Sequence, residues 1–179
     1  MDKKIILGVT GGIAVYKSAD LCSTLVKEGF DVQVVMTPNA AKLISPVIFK
    51  TLSKREVALD IFDPANGVKP LHIEVANFAP LAVIAPATAN FIAKYTYGIA
   101  DEVLSCVMAA FTGRVLLAPA MNPAMYQQPV CCENRERLAQ RGVEFVGPDD
   151  GRVACGAPGT GRLAGVADII DKINLIYGK

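Results

Sequence analysis

Val115-Leu-Leu-Ala-Pro-Ala-Met-Asn-Pro-Ala-Met125 is a short aliphatic run that stops at two prolines bracketing Asn122. A near-continuous apolar run suits a parallel strand covered on both faces. Such strands deliver the residues beyond their carboxyl ends into the crevice where open α/β sheets bind ligands. Asn122 is therefore expected at a ligand site. Outward from it, Lys4–Val9, Asp31–Met36, Leu81–Ala85, Val115–Ala118 and Glu144–Val146 read as further short apolar strands. Helical stretches alternate with them: Ile13 to Glu28 with Gly29 as a cap, Ala89 to Tyr95, Asp101 to Ala110, Pro129 to Arg141 with Gly142 as a cap, and Val166 to Tyr177. This alternation predicts an α/β fold with a doubly wound, flavodoxin/Rossmann-like parallel sheet in a single domain over residues 1–179.

Composition narrows the function classes. The chain has 179 residues, 52% of them hydrophobic, enough to bury a sizeable core. Eighteen basic and seventeen acidic residues leave a formal charge of +1, without the Lys/Arg cluster that nucleic acid or an anionic membrane would require. No apolar stretch reaches membrane-spanning length, and Met-Asp-Lys-Lys runs directly into a strand without a signal-peptide pattern, so a cytoplasmic location is expected. Five cysteines, Cys131 and Cys132 adjacent, form no C-x-x-C pair and read as reduced thiols. A single histidine, His72, gives no ligand cluster for zinc, so no metal is expected.

The first strand runs into Gly8-Val-Thr-Gly-Gly-Ile-Ala14, where glycines at a strand-to-helix turn let backbone N–H groups approach a phosphate. The same glycines would serve a tight turn alone. A G-x-x-x-x-G-K-[ST] loop and a regular G-x-G-x-x-G are both missing, and the second strand ends in Met36-Thr37 instead of the acid that binds an NAD ribose. ATP and NAD both lose ground. Thr37, Thr88 and Asn90 stand just beyond strand ends, as ligands for a ribityl chain or phosphate or as helix N-caps. A lone histidine such as His72 is ordinarily a capping or surface residue, and a base is the alternative reading. The second unusual segment, Gly151-Arg-Val-Ala-Cys-Gly-Ala-Pro-Gly-Thr-Gly161, looks too glycine-rich to pack. It carries Cys155 between Arg152 and Arg162, on what is expected to be a mobile flap. The other four cysteines fall in predicted helices, where a small buried hydrophobe is the ordinary role.

Gly11-Gly-Ile-Ala14, His72, Ala85-Pro-Ala-Thr-Ala-Asn90 with Lys94 and Asp101, Pro119-Ala-Met-Asn-Pro-Ala-Met125 and Ala154-Cys-Gly156 together resemble the flavin-dependent cysteine decarboxylases over nearly the whole chain. The resemblance implies FMN, with its phosphate near Gly11, Gly12 and Ile13 and further contacts from Thr37, Thr88, Ala89, Asn90 and Ala120. It also implies a substrate held by Met121, Asn122, Ala154 and Cys155, with His72, Asn122 and Cys155 catalytic. The flap cysteine is similar to that of members acting on 4′-phospho-N-pantothenoylcysteine, giving 4′-phosphopantetheine and CO₂ in coenzyme A biosynthesis. In that chemistry the substrate thiol is oxidised, CO₂ leaves to give an enethiolate, and the electron pair is returned. Two alternatives stay open, a decarboxylase of peptidyl C-terminal cysteine and a non-catalytic regulatory flavoprotein. Family members bind flavin between subunits, which implies a homotrimer or homododecamer. The chain resembles the stand-alone form, without the ligase domain of many bacterial relatives.

Overall fold

The structure, a computed structural model, describes residues 3–63, 69–152, 156 and 158–178. Five parallel strands form its sheet: β1 Lys4–Val9, β2 Asp31–Met36, β3 Leu81–Ala87, β4 Arg114–Pro119 and β5 Glu144–Phe145, in the spatial order β2-β1-β3-β4-β5. This is the flavodoxin-like order, with its topological switch between β1 and β3. The register is regular: Lys4 to Val9 pair with Asp31 to Met36, and Ile5 to Gly8 with Leu81 to Ile84. The predicted fold class is thus the observed one.

A short 3₁₀ turn at Ile13–Val15 leads into α1 Tyr16–Lys27, followed by α2 Pro38–Leu43, α3 Pro46–Ser53, α4 Leu71–Ala76, α5 Ala89–Tyr97, α6 Val103–Ala110, α7 Pro123–Gln127, α8 Pro129–Gln140 and α9 Val166–Ile176. Strand residues alternate between two cores because successive side chains leave a strand on opposite faces. Ile5, Leu7, Val34, Val83 and Leu116 face Leu21 and Leu25 of α1, Phe49 of α3 and Ile169 and Ile173 of α9. Ile6, Val35, Ala82, Ile84 and Leu117 face Phe91, Leu104, Val107 and Leu138 of α5, α6 and α8. Each large aliphatic side chain fully buried this way contributes about 1.5–3 kcal/mol before entropy is counted. At Gly8 a Cβ would lie 2.4 Å from Ile84 Cδ1 and 2.9 Å from Leu104 Cδ1, so the missing side chain is what lets α6 approach the sheet.

Three helices were not expected from the sequence. α2, α3 and α7 each begin at a proline, where the absent N–H is one the first turn would leave unbonded anyway. Prolines that punctuate a strand end are here helix starts. The sequence placed His72 ahead of a short helix; it is the second residue of α4. The glycine-rich segment also differs from expectation. Asp149–Arg152 and Pro158–Arg162 pair antiparallel as a hairpin, β6 and β7.

Candidate active site

At the carboxyl edge of the sheet, the ends of β1 and β3 are stitched together by a residue the sequence reading did not single out. Thr10, buried, donates from Oγ1 to the Pro86 carbonyl (2.7 Å) and accepts the Thr88 N–H (3.2 Å). Ser18 on α1 donates to the Ala85 carbonyl (2.7 Å) and fixes that helix against β3. The chain leaves the two strands toward opposite faces, which opens a crevice between them.

Three helices start at this crevice, and each is capped by a polar side chain that also lines it. Thr37 Oγ1 accepts from Ala40 N (3.2 Å), Thr88 Oγ1 from Phe91 N (3.3 Å) and Asn122 Oδ1 from Ala124 N (2.8 Å). Thr37 and Thr88 are thus N-caps that also line the cavity, whereas Asn90 lines it from inside the first turn of α5 without capping it. The Asn122 oxygen serves as the cap of α7, and the amino group is the donor half of the same side chain. The helix starts add positive potential that favours an anion.

The crevice is a cavity of about 1120 Å³. It brings together all the described residues expected to hold cofactor or substrate: Gly11, Gly12, Ile13, Thr37, Thr88, Ala89, Asn90, Ala120, Met121 and Asn122. Thr10, Lys17, Asn39 and Arg162 also line it and were not expected. Gly11 and Gly12 are there for space. A Cβ on Gly11 would lie 2.5 Å from Asn39 Cβ and 2.9 Å from its carbonyl carbon, and one on Gly12 would lie 3.3 Å from Thr88 Cγ2. The Gly12 N–H donates to the Thr10 carbonyl (2.9 Å) and so closes the turn itself. Farther along the wall, Lys94 Nζ holds both oxygens of Asp101 (2.7 and 2.8 Å), and this contact pulls the Asp101 carboxyl below its usual range.

The hairpin adds Arg162 to the cavity lining, and its glycines let it pack where the sequence suggested they would prevent packing. The Met121 N–H donates to the Gly161 carbonyl (3.0 Å), and a Cβ on Gly161 would come within 2.3 Å of the Met121 oxygen. Gly159, in the left-handed region at φ 136°, lies against Pro123. Only a strand stripped of side chains fits this close to the Asn122 turn. Arg162 pairs with Asp149 (3.4 Å) across the hairpin base. Ala154 and Cys155 lie outside the described residues. His72 does not line the cavity; it sits half-buried on α4, which packs against α6. Among the described residues no cluster of three His, Cys, Asp or Glu side chains is placed to hold a metal ion.

A cavity of this volume, at the β1/β3 switch point of a 2-1-3-4-5 sheet, fits a mononucleotide the size of FMN. It combines hydroxyl and amide donors with the apolar Ile13, Met121, Met125 and Leu163. The family model described as Flavoprotein matches residues 1–176, and the chain belongs to that family. It is 43% identical over 169 residues to the coenzyme A biosynthesis bifunctional protein CoaBC of Bacillus subtilis (strain 168), covering 94% of this chain and 42% of that one. It is 41% identical over 169 residues to the protein of the same name from Escherichia coli (strain K12), covering 94% and 42%. The chain thus spans less than half the length of these relatives. Among solved structures, a cysteine-to-serine mutant of PPC decarboxylase complexed with pantothenoylaminoethenethiol is 27% identical, with a TM-score of 0.88 and 100% of both chains covered. The FMN binding protein AtHal3 is 27% identical, with a TM-score of 0.86 and 99% and 98% covered.

Proposed function

We propose that the chain is an FMN-dependent decarboxylase of 4′-phospho-N-pantothenoylcysteine, in which residues 1–179 form one FMN-binding domain. The observation that carries this reading is Asn122, whose carboxamide oxygen caps α7 while the side chain lines a cofactor-sized cavity. The likeness to the CoaBC proteins and to PPC decarboxylase supports the substrate. Gly11, Gly12, Thr37, Thr88 and Asn90 are the residues that would hold FMN, and Ala89, Ala120 and Ile13 give it an apolar wall. When bound, FMN supplies a two-electron sink and source for the substrate thiol.

The protein's own side chains do the rest. The Asn122 amide donates a hydrogen bond to the substrate carboxylate without an arginine's charge, which would over-stabilise the anion that must lose CO₂. Met121 packs beside it. His72 accepts the thiol proton or orients the thiol. Because His72 does not line the cavity within its own chain, the reading assigns it to the site of a neighbouring copy in a homotrimer or homododecamer. Exposed Ile13 (67%), Tyr16 (64%) and Val47 (65%) provide apolar surface for such a contact. Cys155 gives a proton to carbon in the reductive half, and Ala154 beside it contacts substrate. No helix of the described residues is long and apolar enough to cross a membrane, and the proposed location is cytoplasmic.

The test is anaerobic mixing of the FMN-loaded protein with 4′-phospho-N-pantothenoylcysteine, followed by mass analysis. Loss of CO₂ with 4′-phosphopantetheine as product is expected; turnover of a peptide with a C-terminal cysteine but not of this substrate would overturn the assignment. In Cys155→Ser the product should stop two hydrogens short, since an alcohol is a weaker acid than a thiol. Ordinary product from that variant would remove the proton-donor role.

A further inference from the structure

Between the Gly11-Gly12 turn and the start of α5, a single residue arranges both sides of the cavity. Thr10 is only 1% exposed. Its carbonyl takes the Gly12 N–H (2.9 Å), which closes the glycine turn, and its hydroxyl meets Thr88 across the switch point. Thr88 borders the same turn, since a Cβ on Gly12 would lie 3.3 Å from Thr88 Cγ2. Thr10, Gly12 and Thr88 all line the cavity.

The path of β3 explains why a hydroxyl is needed here. The β1–β3 ladder runs from Ile5 opposite Leu81 to Gly8 opposite Ile84, and the β3–β4 register shifts between Ile84 and Ala87. An irregularity of this kind leaves residues unpaired and re-aims those that follow, here Thr88 to Asn90. Two buried hydroxyls take the carbonyls in that gap: Ser18 holds Ala85 and Thr10 holds Pro86, each at 2.7 Å. A carbonyl left bare at this depth would forfeit its hydration without compensation. Ser18 makes that one contact and does not line the cavity. Thr10 does both.

A count of protons gives the consequence. A carbonyl can only accept, so the single Thr10 hydroxyl proton lies on the contact to Pro86. Its lone pairs then face Thr88: one takes the Thr88 N–H (3.2 Å), and the hydroxyl oxygen lies 3.3 Å from Thr88 Oγ1. Thr88 Oγ1 itself accepts the Phe91 N–H (3.3 Å). Thr10 has no proton left to give, so the Thr88 proton has two destinations, the long contact to Thr10 or an acceptor in the cavity. An anionic oxygen wins that competition, because charge-assisted hydrogen bonds are shorter and stronger than neutral ones. We infer that Thr10 is a positioning residue of the flavin site: it fixes Thr88 beside the glycine turn and keeps the Thr88 hydroxyl a donor, so that the pair favours a flavin carrying a phosphate over one without. This role depends on FMN as the ligand of the cavity and not on the substrate proposed above.

The test titrates flavin-free protein with FMN and with riboflavin, which lacks the phosphate, and follows flavin fluorescence well below the melting temperature of each variant. Thr10→Val, which keeps the shape and removes the hydroxyl, should weaken FMN roughly tenfold or more and riboflavin less than about threefold. Thr10→Ser should bind FMN within about twofold of wild type, since the hydroxyl is kept. Ser18→Ala should lower the melting temperature and leave the ratio of the two affinities unchanged. In a Thr88→Val background, adding Thr10→Val should cost less than about twofold more, because two residues acting through one contact are not additive. If Thr10→Val does not fold, Thr10→Ala is read in the same way. Equal losses of FMN and riboflavin, additive losses in the double variant, or an FMN-selective loss in Ser18→Ala would overturn the positioning role. Wild-type protein that binds neither flavin would overturn FMN as the ligand, and the role of Thr10 with it. Flavin binding as expected without loss of CO₂ from 4′-phospho-N-pantothenoylcysteine would fault the substrate alone.

Discussion

The two edges of the sheet handle polar side chains in opposite ways. At the amino edge they close on one another: Glu144 takes Arg114 (2.6 Å) and Lys172 (2.9 Å), Asp31 takes Arg55 through both oxygens (2.5 and 2.7 Å), and the Tyr177 hydroxyl donates to the Lys4 carbonyl. At the carboxyl edge Thr37, Thr88 and Asn122 each give an oxygen to a helix N–H and still face a large cavity. The direction of the strands explains the difference. In a parallel sheet the connecting helices begin beyond the carboxyl ends, so unbonded N–H groups gather there and invite acceptors and anions. Polar side chains are paired with one another at one edge and line the cavity at the other.

The sharpest way to break this comparison is Asn122→Asp. Aspartate caps a helix as well as asparagine does, so fold and FMN content should survive. A carboxylate at about 4 Å from the substrate carboxylate costs about 4 kcal/mol at an effective dielectric of 20, or roughly a thousandfold in turnover. Near-wild-type turnover would show that Asn122 does no more than cap. His72→Asn should lose roughly 10²–10⁴-fold, the usual worth of a positioned acid or base. Mixing unfolded His72→Asn and Asn122→Asp chains and refolding them together should restore about a quarter of wild-type activity by random assortment, if each site joins two copies. No recovery in mixed oligomers would place His72 outside the site.

Gly161→Ala should be the next largest effect, because its Cβ would strike the Met121 carbonyl oxygen and push the hairpin off the Asn122 turn. Turnover should fall by roughly tenfold or more while FMN, held at the opposite wall, is retained. Gly11→Ala should do the reverse, crowding Asn39 at an overpacking cost of about 1–3 kcal/mol and lowering FMN retention in equilibrium dialysis. Equal effects of both variants on FMN would erase the distinction between the two walls. At the amino edge, Glu144→Gln should matter least. Lys172 and Arg114 hold the Glu144 carboxyl below its usual value of 4.5, so its contribution is present above that value and lost as pH falls through the depressed one. The variant should be less stable by under about 1 kcal/mol at pH 7 in urea titration, and this difference should vanish in strong acid.

The sequence made the five strands and the carboxyl-edge residues legible because both depend on local pattern. An apolar run such as Leu81–Ala85 reads as a strand wherever it lies, and whatever follows it falls at the carboxyl edge. Asn39, Lys17 and Arg162 were not legible, since their place in the cavity depends on how α2, α1 and β7 dock. The docking of the hairpin is the clearest case. Gly159 and Gly161 carry no outward sign of a partner, and only the backbone of Met121 and the ring of Pro123 reveal what the missing side chains admit. His72 was singled out on residue type, and its position away from its own chain's cavity follows from the path of α4, which no short pattern encodes.

The doubled duty of Thr37, Thr88 and Asn122 has a consequence for how such a protein diversifies. Serine, threonine, asparagine and aspartate replace one another as helix caps at a cost of a few tenths to about 1 kcal/mol. They differ much more in what they offer a ligand: donor, acceptor, or charge. A lineage can therefore drift among these four residues at all three positions and sample new ligand preferences while remaining folded. The rim of the crevice is a place where exchanges put the fold at little risk, and ligand preference can change there ahead of any change in architecture.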